Sequence, residues 1–350
     1  MFTRKPFMIS VPIVAAFAQG ASAGVPAPKT LDLVTDNQQQ QIEIEVGPVA
    51  GEVRVYGIDG IRSGTTYTGI AHVNLTTGSA FDFVEFRIFA TVVPSIMINT
   101  NAGDSDVKII YETPTTPDPV WSEVAIFGHS GNDKAGFEVI SEAASFGVSW
   151  DVRHGDGDNE TTAAVLTDRF ADALSVDLYG LAGSGQDKLT ASVITGASNL
   201  NVSVAGALGG GNDQAVLTID EKRASSQALA LDLDMGAGED VAEVIAVLRG
   251  GIADLSGLVA GGADKDTLKL LFEGDGVSSI TLDGGDGPDV LDSEYKGLAL
   301  GSPQLLGGTG DDYLKIVAKE AVAMVPFIDG GRGYDIAIGF GTIVNVEEIN

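Results

Sequence analysis

A short glycine-rich turn that ends in aspartate recurs along the second half of the chain. The three clearest copies span residues 284–289, 307–312 and 330–335, and their final aspartates lie 23 residues apart. Glycine allows positive φ, so the backbone of such a turn points its carbonyl oxygens inward, and the aspartate adds a carboxylate. Carbonyl and carboxylate oxygens are the ligands that Ca²⁺ prefers. The turns therefore predict calcium as a cofactor.

Further copies of the motif lie upstream in the same phase. The candidate calcium ligands are the aspartates that end the seven best copies and the glycines of the last three, namely Asp187, Asp213, Asp240, Asp266, Asp289, Asp312, Asp335, Gly285, Gly287, Gly308, Gly310, Gly331 and Gly333. Weaker copies end at Asp82, Asp106, Asp133 and Asp158. The alternative is that Gly and Asp only form good turns, since an aspartate side chain also accepts hydrogen bonds from nearby backbone amides.

The segments on either side of each turn are predicted to be β-strands. Apolar residues occupy the second and fourth positions after the aspartate, as Leu268 and Leu270 do after Asp266, and this is the period of a strand with one buried face. The motif recurs every 23 to 29 residues, which is typical of a solenoid and too short for a propeller blade. We expect an all-β fold, a parallel β-helix of about eleven coils stacked about 4.8 Å apart.

Gly-Gly-x-Gly-x-Asp followed by alternating apolar residues resembles the hemolysin-type (RTX) calcium-binding repeat. The resemblance is strongest at residues 284–291, 307–314 and 330–337. It implies that calcium is bound between stacked turns, by carbonyl oxygens of the glycine region and by the aspartate. The chain departs from that family in spacing its repeats by 23 residues or more instead of nine.

Composition and charge exclude several other classes of protein. The formal net charge of −29 makes nucleic acid and anionic membranes poor partners. The chain has no cysteine and only three histidines, so a zinc or copper site is not expected. A hydrophobic content of 44% is too high for a disordered chain, and the 46 glycines indicate a turn-rich repeat protein.

The first residues have the features of an export signal. Arg4 and Lys5 precede an apolar run, and Ala21-Ser22-Ala23 is a small-residue cleavage site. We expect residues 1–23 to be a signal peptide, residues 24–77 an N-terminal β cap, and residues 78–350 the repeat solenoid. The protein is then extracytoplasmic, either secreted, at the cell surface or in the periplasm, with no membrane span.

These features predict an exported calcium-binding solenoid with a structural, adhesive or matrix role. Calcium ions and a cell-surface or matrix polysaccharide or protein are the expected partners. The alternative is a polysaccharide-active β-helix enzyme, a lyase, hydrolase or epimerase. The one cluster that suggests catalysis combines an aromatic, basic groups and acids within one coil: Trp150, Asp151, Arg153, His154, Asp156 and Asp158. An irregular turn with solvated charges explains the same cluster, and no catalytic residue is assigned.

Overall fold

A computed structural model describes residues 28–58, 64–167, 172–319 and 323–350. Every regular element assigned in these ranges is a β-strand. The strands form a parallel β-solenoid of about ten turns, which confirms the expected all-β, parallel β-helix class. No helix in the described part of the chain is long and apolar enough to cross a membrane. The proposed signal peptide, residues 1–23, lies outside the described residues.

The first half of the solenoid contains short strands of three to nine residues. They are β1 (Lys29–Val34), β2 (Gln40–Val46), β3 (Val53–Tyr56), β4 (Thr65–Tyr67), β5 (Ile70–Thr76), β6 (Asp82–Ile88), β7 (Ser95–Asn99), β8 (Ser105–Thr113), β9 (Val120–Phe127), β10 (Asp133–Ser141), β11 (Ser145–Arg153), β12 (Glu160–Thr167), β13 (Ala173–Leu181) and β14 (Lys188–Thr195).

The second half includes two strands that continue around a corner of the rod. Its strands are β15 (Asn199–Ala207), β16 (Gln214–Glu221), β17 (Ser226–Ala237), β18 (Val241–Ala263), β19 (Thr267–Asp286), β20 (Val290–Lys296), β21 (Ala299–Gly301), β22 (Gln304–Thr309), β23 (Tyr313–Lys319), β24 (Ala323–Met324), β25 (Phe327–Arg332), β26 (Ile336–Ile338), β27 (Thr342–Val344) and β28 (Glu348–Ile349).

Each coil between β5 and β18 contributes two strands. The odd-numbered strands from β5 to β17 pair in parallel with one another and form one face of the rod. The even-numbered strands from β6 to β18 form the other face in the same way. From β19 onward a short third strand, β21 and then β24, lies between the two main strands of a coil.

The alternation of apolar residues places every second side chain in the core. In β19, Leu268, Leu270 and Phe272 are buried, whereas Lys269 and Glu273 point outward. Burying a Leu or Phe side chain contributes roughly 1.5–3 kcal/mol each. A shift of one residue in the pairing of the strands would expose this whole set, so the pattern also sets the register.

The N-terminal segment 24–77 contains the antiparallel strand pairs. There β2 pairs antiparallel with β3, and β3 with β4. The strands β1 and β2 also pair in parallel with β5 and β6 of the following coil. Parallel stacking therefore begins on the N-terminal side of residue 78, because β1, β2 and β5 carry the same alternation without the glycine turns.

Candidate functional site

All seven predicted aspartates lie in one column that follows the axis of the rod. Each ends the turn that leads from one face to the other, and all are 3% exposed or less. The backbone carbonyl of an aspartate accepts a hydrogen bond from the residue after the next aspartate, as Tyr313 N–H donates to Asp289 O at 2.8 Å. The structure therefore brings together residues that are 23 to 27 positions apart in sequence.

One carboxylate oxygen of each aspartate takes part in a side-chain ladder. From Asp187 to Asp312, each backbone N–H donates to Oδ1 of the next aspartate in the column at 2.7 to 2.9 Å. At the C-terminal end, Asp335 N–H donates instead to Glu347 Oε2 at 2.8 Å. This column, from Asp187 to Asp335, is called the aspartate ladder below.

The other carboxylate oxygen has no partner. Oδ2 of every aspartate in the ladder is buried and makes no hydrogen bond, and the same holds for Asp133 and Asp82 upstream. An unsatisfied buried acceptor costs free energy of about 1–3 kcal/mol, and more when it is charged. The same arrangement recurs at every aspartate of the ladder, so it is a regular property of the repeat.

Asn159 indicates which groups surround the position of Oδ2, the second carboxylate oxygen. It occupies the same column, because Asp133 N–H donates to its Oδ1 at 3.0 Å. Its Nδ2 donates to the turn carbonyls of Gly155 and Gly157 at 3.0 and 2.9 Å and to Asp187 Oδ1 at 2.9 Å. An amide nitrogen is therefore satisfied where it faces turn carbonyls. We infer that the Oδ2 of an aspartate in this position faces acceptors, and that it needs either a proton or a cation.

At the first glycine of each of the last four turns, two oxygen atoms lie close to the backbone. A Cβ atom built on Gly284 would meet Oδ2 of Asp289 and the carbonyl oxygen of Gly307 in the following coil. The same pair of oxygens converges at the equivalent glycines of the neighbouring turns: Gly261, Gly307 and Gly330, with the carbonyl of Asn345 completing the last pair. A carboxylate oxygen and a carbonyl oxygen thus approach the same glycine in each turn.

Apolar side chains occupy this position in the three preceding turns. The residues five positions before Asp187, Asp213 and Asp240 are Ala182, Leu208 and Met235. Leu208 and Met235 are buried, at 4% and 0% exposed. The predicted ligands therefore divide into four turns in which this position is a glycine approached by two oxygens and three in which it is an apolar residue.

The six predicted glycines have a clear role in stacking the turns. All have positive φ, between 98° and 148°, which side chains disfavour. A Cβ on Gly287 would overlap the carbonyl oxygen of Asp264 in the preceding coil. Gly287 N–H donates to Thr309 O at 2.6 Å and Gly310 N–H to Arg332 O at 2.7 Å, so the turns themselves form a hydrogen-bonded column.

Burial raises the pKa of the ladder carboxyls. Desolvation is the largest cause, the hydrogen bond from the preceding aspartate opposes it, and neighbouring carboxylates add to it. The pKa rises to about 7 for Asp213, Asp266 and Asp289, and to about 6 for Asp240 and Asp312. Without a cation, these groups are partly protonated near neutral pH.

Any cation at these turns must be held mainly by backbone oxygens. Among the described residues, no group of three or more His, Cys, Asp or Glu side chains could hold a metal ion. The donor set within one turn is a single buried carboxylate oxygen with carbonyl oxygens around it. Such a set suits a hard cation with oxygen ligands and does not suit zinc or copper.

The cluster that suggested catalysis does not form a site. Trp150 is 1% exposed and belongs to the core, whereas Arg153 lies outside and pairs with Asp151 at 2.8 Å. His154 is buried within the turn, where Nε2 lies 3.0 Å from the Thr161 hydroxyl. Burial lowers the pKa of His154 to about 4. Trp150 thus lies in the core, His154 in the turn and the Arg153–Asp151 pair on the outer face of the coil.

Sequence reasoning placed two of the weaker copies one residue out of phase. Asp158 is exposed, and its neighbour Asn159 occupies the column. Likewise Ser105, not Asp106, lies in the column, where its hydroxyl donates to Asp133 Oδ1 at 2.6 Å. The signal that identifies the column is the alternation of buried residues in the strand that follows, with which Asn159 and Ser105 are in phase.

The chain was also compared with known proteins. No family model, no curated protein and no solved structure matches it.

Proposed function

We propose that this protein is an extracytoplasmic, calcium-stabilised β-solenoid with a structural or adhesive role. Calcium binds in the last four turns, where Asp266, Asp289, Asp312 and Asp335 supply one carboxylate oxygen each. The neighbouring turn carbonyls supply further ligands, and Gly285, Gly287, Gly308, Gly310, Gly331 and Gly333 allow the backbone to present them. The resemblance to the RTX repeat points in the same direction.

One observation carries the proposal, namely the buried, unpartnered Oδ2 atoms of the ladder. At Asn159 the corresponding nitrogen donates to two turn carbonyls. At Asp289 the corresponding oxygen has no donor, and both it and the Gly307 carbonyl oxygen lie close to Gly284. A divalent cation bound by both oxygens would relieve their repulsion, and it would also offset part of the net charge of −29.

The earlier turns are a different case. Leu208 and Met235 fill the space beside Asp213 and Asp240, so a cation would have to displace buried apolar side chains. For these two carboxyls we infer the protonated form, in which the acid O–H donates to a turn carbonyl as the Asn159 amide does. If no cation binds, the protonated form is expected for the carboxyls of all seven turns.

Calorimetric titration of the chelated, purified protein with calcium tests this proposal. We expect binding to the wild type and the loss of about one site in Asp289→Asn, because the asparagine satisfies the turn carbonyls and removes the charge. Asp213→Asn is the matched control and should leave the stoichiometry unchanged. An absence of calcium binding, with the same melting temperature in chelator and in millimolar calcium, would refute the proposal and leave the ladder as a column of neutral acids.

The extracytoplasmic location rests on the N-terminal sequence alone. We expect the exported protein to begin at Gly24, after cleavage behind Ala21-Ser22-Ala23. Mass spectrometry of the intact exported protein measures this directly. A product that retains Arg4 and Lys5 would contradict it.

A further inference from the structure

A groove crosses the outer surface of the face formed by the odd-numbered strands. Its volume is about 420 Å³, and its walls come from β9, β11, β13, β15 and β17. It ends at β17, which is separated from the turn of Asp266 by β18, and it shares no residue with the aspartate ladder. The groove is a feature separate from the proposed calcium sites.

An exposed tryptophan lies at one end of the groove. Trp121 in β9 is 45% exposed. Its ring covers Gly147 in the next coil so closely that a Cβ on Gly147 would overlap the six-membered ring. The indole Nε1 donates to Glu123 Oε1 at 3.4 Å, which orients the ring on the surface. A large aromatic surface is thus held on the outside of the rod.

The groove continues beyond the tryptophan with small neutral side chains. In parallel register, Trp121 is followed by Gly147, Ser175 and Asn201 on successive coils. Asn201 Nδ2 donates to the Ser175 hydroxyl at 3.3 Å. Successive coils are about 4.8 Å apart, so this row extends roughly 15 Å along the rod axis, from the indole of Trp121 to a hydroxyl and an amide at its last two positions.

The charge of the groove differs from that of the protein as a whole. None of the described residues that line it is charged, although charged residues make up 20% of the chain and the net charge is −29. An acidic polymer would be repelled by the surrounding protein, and a basic one would meet a single carboxylate at the edge of the groove, that of Glu123, which already accepts from the Trp121 indole. The surface is therefore complementary to an uncharged ligand.

We propose that this groove binds a chain of a neutral polysaccharide. A sugar ring has an apolar C–H face that packs on an indole and a rim of hydroxyls that exchange hydrogen bonds with Ser and Asn. Trp121 binds one ring, and Ser175 and Asn201 bind the hydroxyls of the rings that follow along the axis. The proposal goes beyond the calcium sites and does not depend on them. It assigns binding only, with no bond made or broken.

Fluorescence titration with uncharged hexasaccharides tests the proposal. The protein has two tryptophans, and since Trp150 is 1% exposed, a ligand-dependent change in emission reports on Trp121. Cellohexaose, maltohexaose and mannohexaose are the probes, and an oligogalacturonate hexamer is the anionic control. We expect saturable binding of at least one neutral probe, no binding of the anionic one, and the same affinity in chelator, where loss of calcium leaves this groove intact.

Substitutions test whether the oligosaccharide binds in the groove or elsewhere on the surface. Trp121→Ala, followed by calorimetry, should weaken binding about tenfold or more. Gly147→Ala should weaken it as well, because the new Cβ tips the indole off the surface while Trp121 remains. Phe89→Ala, at another exposed aromatic (49%), should leave the affinity unchanged.

Three results would overturn the proposal. One is the absence of binding by all three neutral probes, and another is unchanged affinity in Trp121→Ala. The third is concentration-dependent self-association that Trp121→Ala abolishes in analytical ultracentrifugation, since the groove would then bind a second copy of the chain. Failure of the calcium titration would leave these results unaffected, so the two proposals fail separately.

Discussion

The backbone N–H of Asp289 donates a hydrogen bond of 2.8 Å to Oδ1 of Asp312, one coil further along the rod. The two residues are 23 positions apart in sequence, and both are 2% exposed or less. Each aspartate of the ladder thus uses one carboxylate oxygen to complete the backbone of the preceding coil. The second oxygen is left for a proton or a cation. The stability of the rod should therefore depend on the pH and on the concentration of the cation.

Replacing Asp312 tests the two oxygens separately. Asp312→Ala removes the acceptor of the Asp289 N–H and should lower the free energy of unfolding by about 1–3 kcal/mol. Asp312→Asn retains an acceptor and adds an amide that can donate to turn carbonyls, as Asn159 does. We therefore expect the asparagine variant to be at least as stable as the wild type in chelator. Urea unfolding followed by circular dichroism measures both, and an asparagine variant as unstable as the alanine variant would contradict the role given to Oδ2.

The pH dependence of stability should become weaker when calcium is bound. The pKa is raised to about 7 in Asp213, Asp266 and Asp289, and to about 6 in Asp240 and Asp312, against about 3.9 in an unfolded chain. The ion-free rod therefore binds protons that the unfolded chain does not. This stabilisation is complete below about pH 4 and is lost as the pH rises through 6 to 7. In chelator, the melting temperature should thus be higher at about pH 6.5 than at pH 8.

With saturating calcium a shallower trend is expected over the same range. The cation then takes the place of the proton at the carboxylates of the last four turns, so folding no longer takes up protons there, and calcium raises the melting temperature more at pH 8 than at pH 6.5. His154, whose pKa burial lowers to about 4, is neutral in the folded rod and destabilises it only as the pH falls below about 6.5. Melting curves at pH 8 and 6.5 avoid this contribution. Equal slopes with and without calcium would show that no cation binds the ladder.

Calcium should stabilise the C-terminal coils more than the others. Sites with Kd of about 10⁻⁴ to 10⁻³ M contribute roughly 0.4 to 1.4 kcal/mol each at millimolar calcium. Hydrogen exchange followed by mass spectrometry resolves the effect along the chain. Chelation should speed exchange in β20 to β26 and leave β10 to β14 unchanged. Uniform loss of protection along the rod would place the cation elsewhere.

Gly287 should tolerate no side chain. Its φ is +142°, and a Cβ would overlap the Asp264 carbonyl, so Gly287→Ala should cost about 1–3 kcal/mol or more. Gly196→Ala is the control, because a Cβ there would meet no heavy atom within 4 Å and its φ lies outside the left-handed region. Thermal unfolding of both variants measures the difference. Similar losses at the two positions would mean that the turns do not depend on close stacking.

The sequence by itself determined the architecture, because a solenoid repeats one local pattern. Alternating apolar residues and a glycine turn every 23 to 29 positions specify both the strand period and the coil length, so the β-helix was predictable. The aspartates of the clear copies were identified for the same reason, since the turn and the following strand mark their phase together. Where asparagine replaces the closing aspartate, that mark is lost, and Asp158 was taken for its neighbour Asn159.

Only the tertiary structure decided how each aspartate divides its two oxygens. The partner of Oδ1 is a backbone N–H one coil away, and the surroundings of Oδ2 include a carbonyl of the following coil. Local sequence does not encode such contacts, because they arise from register between coils. The groove beside Trp121 has the same origin, since its row of Gly147, Ser175 and Asn201 exists only after parallel strands stack residues that are 26 to 28 positions apart.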